Sequence, residues 1–214
     1  MANVLQVDFE KPVTSSKAIE KIQSVLSSGG VIAFPTDTFY GLGADPFNTD
    51  AISKIFRIKQ RPPDKPLLIL IHSRDQLEEV AQEVAGNARK LMEHFWPGPL
   101  TLILKAAPSL PDALTAGTGT IGIRLPDHPF TCKFLEILER PLTAPSANIS
   151  GAGELRTALE VEGELGDKID LIVDGGPAPG GKPSTVLDTT KNPPVLIREG
   201  ALSRRDLESI LPIQ

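Results

Sequence analysis

Short aliphatic runs separated by segments of helical period constrain this chain more than any other feature. Residues 31–34, 67–71, 100–104 and 121–125 are bounded by Gly, Pro or polar turn residues and read as buried strands. Ala18, Ile19, Ile22, Val25 and Leu26 follow helical spacing up to a glycine stop at Gly29-Gly30. Ile52, Ile55, Phe56 and Ile58 do the same between a cap at Thr49 or Asp50 and the stop at Arg61-Pro62-Pro63. Ser73 is expected to cap a helical stretch reaching Trp96, with a break at Gly86-Asn87. Further helices are expected over 129–140 and 155–165, a loop from 141–144, and strands over 170–173, 185–188 and 195–198. A Ser203-x-x-Asp206 capping box opens a last short helix. Elements in this mixed order predict an α/β fold on a mixed sheet rather than a strictly parallel one. With 214 residues, no repeat and no linker-like tract, the chain reads as a single domain, 1–214.

Composition removes several function classes. The longest aliphatic run, 67–71, is far below the roughly 20 residues of a membrane span, and the first ten residues lack a basic then apolar leader. The expectation is a cytoplasmic protein with no membrane partner. One cysteine, Cys132, excludes a disulfide framework, a four-cysteine zinc site and an iron–sulfur cluster. Beside Phe134 and Leu135 it reads as a buried structural thiol. The net charge of −5 gives no overall field for nucleic acid, so such a contact needs a local patch. Lys54, Arg57, Lys59, Arg61 and Lys65 supply one candidate within twelve residues, against Asp64 alone. A solvated helix face is the plainer reading of that run.

Two glycine-rich stretches imitate phosphate loops. In 176–183 the lysine of a Walker-like spacing, Lys182, is followed by Pro183, which has neither the hydroxyl that binds magnesium nor an amide proton. Gly117-x-Gly119-x-x-Gly122 runs into a strand, whereas a dinucleotide fingerprint leaves a strand and enters a helix. His72, His94 and His128 have no metal-ligand spacing, and no Gly-x-Ser-x-Gly elbow is present.

Four polar segments interrupt the apolar pattern. They are Pro35-Thr36-Asp37-Thr38 leading to Ala44, Lys59-Gln-Arg61-Pro-Pro-Asp-Lys65-Pro66, Ala144-Pro-Ser146-Ala-Asn148-Ile-Ser150, and Ser184-Thr-Val-Leu-Asp188 with Arg198 behind it. In this order they resemble the YrdC family from about Gly29 to Gly200, and the Lys-x-Arg with Ser-x-Asn pair is the most specific part.

The resemblance implies a YrdC-like α/β fold: a twisted, mixed, open sheet flanked by helices, with a concave basic face and a core of about 12–200. It implies a reaction of L-threonine, bicarbonate or CO2, and ATP that yields threonylcarbamoyl-AMP and pyrophosphate. Partner proteins then pass the threonylcarbamoyl group to the adenosine beside the anticodon of certain tRNAs, so tRNA contact is weak or indirect. Both reactants are anionic, so such a site works by neutralising charge and aligning them. Arg61 and Lys65 suit the triphosphate, with Mg2+ sharing that work, and Lys59 with Arg61 is the expected catalytic pair. Thr120, Ser146, Asn148 and Arg198 match nucleotide contacts. Thr38, Arg124 and Ser184 match threonine contacts, Arg124 being suited to a two-pronged salt bridge with a carboxylate. Thr36 belongs to the same motif.

Two departures stand out. Leu70 occupies a position where long relatives often carry His, and Glu154-Leu-Arg156-Thr157 stands where many read Ser-Pro-Thr. Ending at Gln214, the chain resembles the short bacterial type. A different class stays open: a non-catalytic module binding tRNA or double-stranded RNA through the basic segment. Eight Phe, one Tyr and one Trp offer it little stacking surface.

Overall fold

The structure, a computed structural model, describes residues 3–10 and 12–214. In chain order its elements are β1 (Asn3–Gln6), α1 (Pro12–Ser27), β2 (Ile32–Pro35), β3 (Tyr40–Gly43), α2 (Thr49–Lys59), β4 (Leu68–Leu70), α3 (Leu77–Val80), α4 (Gly86–Phe95) and β5 (Leu100–Lys105). There follow α5 (Asp112–Thr115), β6 (Thr120–Arg124), α6 (Pro129–Leu138), β7 (Leu142–Thr143), α7 (Ala158–Leu165), β8 (Leu171–Asp174), β9 (Thr185–Asp188), β10 (Val195–Arg198) and α8 (Arg204–Glu208). Among the described residues no helix is long and apolar enough to cross a membrane.

The mixed α/β fold is present, with the strands in two mixed sheets of order β1-β8-β2-β3 and β10-β9-β5-β6-β4-β7. A short ladder joins them. Thr143 N–H donates to Ala44 O, Leu42 N–H to Pro145 O and Ala147 N–H to Tyr40 O, so the segment after β7 lies along the free edge of β3. Thr143 Oγ1 reinforces this seam by accepting from Ala44 N–H and donating to Leu42 O, both at 2.9 Å.

Alternation along the strands divides the core. In the four-stranded sheet, Ile32, Phe34, Leu171 and Val173 pack with apolar residues of α1 and α6, while Val31, Ala33 and Ile172 join the larger cluster on the other face. Both faces are covered, which is why 31–34 reads as a continuous apolar run. In the six-stranded sheet Ile69, Ile121, Ile123, Leu102, Leu104 and Leu187 share one buried cluster with the helical residues Ile52, Ile55, Leu91 and Leu114. Register puts Leu68, Ile103, Gly122 and Val186 on the opposite face, where they are only half-buried. Arg124, Arg198 and Lys105 share that open face with Asp188, leaving it net positive.

Several local expectations are corrected. The break expected at Gly86-Asn87 in the 73–96 stretch falls at 81–85 instead, Gly86 opening the second helix, and Gln76 rather than Ser73 precedes the first. Ala81 turns extended because the chain is drawn onto the end of β5, with Gln82 N–H donating to Lys105 O and Ala107 N–H to Val80 O. The cap of α2 is Asn48, whose Oδ1 accepts from the amides of Asp50 and Ala51. The helix stops at Gln60, in left-handed conformation before the two prolines. α7 starts at Ala158, later than expected, because Thr157 and Glu160 close a full capping box there. Strand β3, strand β1 and α5 were not expected, and residues read as a loop form β7. Both glycine-rich loops lead into strands, β9 and β6.

Candidate active site

The open face ends against the β2–β3 turn. There a cavity of about 80 Å³ is lined by Thr36, Thr38, Arg124, Ser146, Ser184 and Arg198, with Leu68, Ala144 and Glu154 among the others. The first six of these come from five separate stretches of chain, brought together because the cavity lies on the seam between the sheets. A volume this small has room for only one end of a larger molecule.

Arg124 ends β6 and is only 4% exposed. One terminal nitrogen, Nη2, donates to Asp37 Oδ1 at 2.6 Å, while its buried Nε has no partner. A buried guanidinium that lines a polar cavity, with one terminal nitrogen held by a carboxylate behind it, is suited to receive a carboxylate. Ser184 Oγ shares a hydrogen bond with Thr101 Oγ1 at 2.9 Å, and Arg198 Nε and Nη2 donate to the Ser184 carbonyl. Thr36 Oγ1 donates to Phe39 O and accepts from Thr38 N–H, which shapes the turn that carries Thr38.

The second motif pair forms an adjoining network. Lys59, at the end of α2, is 2% exposed, and its Nζ donates to Ser146 O, Asn148 O and Asn148 Oδ1. Ser146 Oγ donates to Asn148 Oδ1 at 2.6 Å, and Asn148 Nδ2 to Ala152 O. Burial, with the neighbouring Arg61 charge, pushes the Lys59 amine down to about 8. Lys59 therefore shapes the loop that presents Ser146 to the cavity.

Other expected residues lie outside the cavity lining. Arg61 folds onto its own loop, donating from Nε to Lys65 O and from Nη2 to Pro66 O, and Lys65 is exposed. Thr120, bonded to Thr118, lies at the far end of β6, roughly 13 Å along the strand from Arg124. It shares the open face with Arg124 and with Gly122 between them, so one extended ligand can run along that line. Cys132 is half-buried rather than buried, its thiol donating to Pro126 O.

Asp37 lies inside the Pro35–Thr38 motif with no role implied by the resemblance, and the need of a buried arginine for a counter-ion is the signal that points to it. No role is implied for Tyr40 either; it donates to Gly176 O, and burial with the nearby Asp174 raises its phenol above the ordinary range. Among the described residues no cluster of three or more His, Cys, Asp or Glu could hold a metal. Glu154 is the one carboxylate in the described lining, a donor set that fits Mg2+ held chiefly by the oxygens of a bound phosphate.

Residues 24–200 match the family model described as Sua5_yciO_yrdC, telomere recombination. A protein named threonylcarbamoyl-AMP synthase from Pyrococcus abyssi (strain GE5 / Orsay) is 44% identical over 186 residues, 87% of this chain and 55% of that protein. One of the same name from Vibrio parahaemolyticus serotype O3:K6 (strain RIMD 2210633) is 36% identical over 183 residues, 85% of this chain and 98% of that protein. The crystal structure of P. abyssi Sua5 complexed with L-threonine superposes with a TM-score of 0.89 at 38% identity, covering 100% of this chain and 62% of that one. The chain thus spans little more than half of the Pyrococcus protein and nearly all of the Vibrio one. With the profile matched from the last turns of α1 to the residue after Glu199, and a relative covered almost end to end, the chain belongs to the Sua5/YciO/YrdC family.

Proposed function

We propose that this chain is a threonylcarbamoyl-AMP synthase, converting L-threonine, bicarbonate or CO2, and ATP into L-threonylcarbamoyladenylate and pyrophosphate. The observation that carries the reading is Arg124, a buried guanidinium with an unpartnered Nε on a cavity lined by hydroxyls. Relatives bearing that enzyme name, one covered almost throughout, and a relative's structure titled as a complex with L-threonine support it.

Arg124 holds the threonine carboxylate, with Thr38 and Ser184 around the same end of the amino acid. The amine adds to CO2, losing a proton and forming a carbamate. A carbamate oxygen then attacks the α-phosphorus, the bond to the β-phosphate oxygen breaks, and pyrophosphate leaves. Catalysis is by alignment and charge neutralisation. The nucleotide lies over the mouth and open face, against Ser146, Asn148, Arg198 and Thr120, with Arg61 and Lys65 turning out from their loop toward the triphosphate. Glu154, together with the phosphate oxygens of ATP, would hold Mg2+, which would supply Lewis-acid charge there. Lys59 positions the Ser146–Asn148 loop. The product is a mixed anhydride, which partner proteins use to acylate the adenosine beside the anticodon of tRNA, a reaction of the cytoplasm.

The RNA-binding alternative is not favoured: Lys54 pairs with Asp170 and Lys59 is buried, so two of the five charges of the basic run are already engaged.

Pyrophosphate release in magnesium buffer tests the reading. Release is expected only with ATP, L-threonine and bicarbonate together, and to drop about 100-fold or more in Arg124→Gln. Release independent of threonine, or unchanged in that variant, overturns it.

A further inference from the structure

Two anionic substrates must be sorted at a site that holds several cations. Arg124 and Arg198 both line the cavity, and each is as attractive to a phosphate as to a carboxylate. They differ in what lies behind them. Arg198 is exposed and makes only hydrogen bonds to Ser184, with Glu154 influencing it at longer range. Arg124 is paired at 2.6 Å with Asp37, the two side chains being 5% and 11% exposed, and Asp37 does not itself line the cavity.

We propose that Asp37 is a positioning and specificity-determining residue, which pins the Arg124 guanidinium through Nη2 and neutralises its charge so that the subsite takes a carboxylate and rejects phosphate. This rests on the reading of Arg124 as the threonine-carboxylate receptor. The pair is neutral as a unit, so what it offers is directed N–H donors rather than net positive charge. A monoanionic carboxylate satisfies those donors. A triphosphate, with its several charges, gains little there and goes to the cations without a paired carboxylate. Asp37 thereby keeps ATP from occupying the threonine end of the cavity.

The test is steady-state kinetics of Asp37→Asn with inorganic tripolyphosphate as the probe. The threonine KM is expected to rise at least 10-fold while the ATP KM stays within about twofold. Tripolyphosphate is expected to become a competitive inhibitor against threonine in the variant and not in the unaltered protein. A purely structural role for Asp37 would not create that inhibition. An unchanged threonine KM, or no new competition, overturns the proposal. Arg124→Gln separates this from the underlying reading: if its threonine KM is also unchanged, the carboxylate site itself is wrong, whereas a raised value there with a normal Asp37→Asn sinks the role of Asp37 alone.

Should Asp37→Asn not fold, arginine-labelled unaltered protein decides by NMR. Threonine is expected to shift the Arg124 Nε–H resonance while the Nη2 contact to Asp37 persists. Displacement of Asp37 by threonine contradicts the proposal.

Discussion

Three oxygens surround Lys59 Nζ, and only an ammonium has three protons to give them. The neutral amine formed above about pH 8 has two, and its lone pair then faces the third oxygen. Pyrophosphate release is therefore expected to fall as pH rises through 8, and Lys59→Met, which lacks the titrating group, to be slow with that limb absent. Stability responds with the opposite sign. The unfolded lysine keeps its proton up to the ordinary value of 10.5, so between about 8 and 10.5 the unfolded chain binds more protons. This group's contribution thus makes folding more favourable as pH rises, which denaturant midpoints of the unaltered protein and Lys59→Met will compare. The inward position of Lys59 was legible in one respect. It falls four residues after Ile55 and seven after Ile52, on the buried stripe of α2. Nothing local in the sequence says which carbonyls meet it there, because they lie almost ninety residues on.

The loop between β8 and β9 is tied down from α7. Arg156, just before the Thr157 cap, donates to Ala178 O and Pro179 O, and Gly180 N–H donates to Thr38 O. Gly180 has φ +76, and a Cβ there would come within 2.7 Å of Arg156 Nε, so the clamp requires glycine at that point. Arg156→Ala should speed proteolytic nicking within 176–182 and lower turnover through Thr38 and Ser184, while costing about 1 kcal/mol of global stability. A loss of global stability well beyond that, without faster nicking, would mean the arginine supports the core instead. The elements most easily read from sequence were those with uninterrupted apolar periodicity, such as β9, β10 and the capping box of α8. Strand β3 was hidden because Gly41 and Gly43 erase its alternation, and Gly43 is needed where a Cβ would meet Phe34 Cε1 at 2.9 Å. β7 was hidden because its two residues are paired by distant strands and carry no pattern of their own.

Across the whole molecule, the cavity and the seam coincide. Thr143 is fully buried at that join, its hydroxyl satisfying one donor and one acceptor of β3. Thr143→Val keeps the shape and leaves Ala44 N–H and Leu42 O without it, which should cost roughly 1–3 kcal/mol. The denaturant midpoint is expected to fall in a single transition of unchanged slope; two transitions would mean the sheets unfold separately. That the strands pair in a mixed way was legible from the order of strand-like and helical segments, whereas the open face of the six-stranded sheet was not, because its strands read as buried apolar runs like 31–34. Nor was the join between the sheets legible, since it depends on backbone pairing between segments about a hundred residues apart. A ligand held between Thr38 on one sheet and Arg124 on the other acts as a removable rivet across that join. Its binding free energy enters the folding equilibrium of the entire chain, about 2.7 kcal/mol at a hundred times its Kd. The melting temperature should consequently trace a saturation curve in threonine, so that a property of the whole fold reports the occupancy of one small cavity.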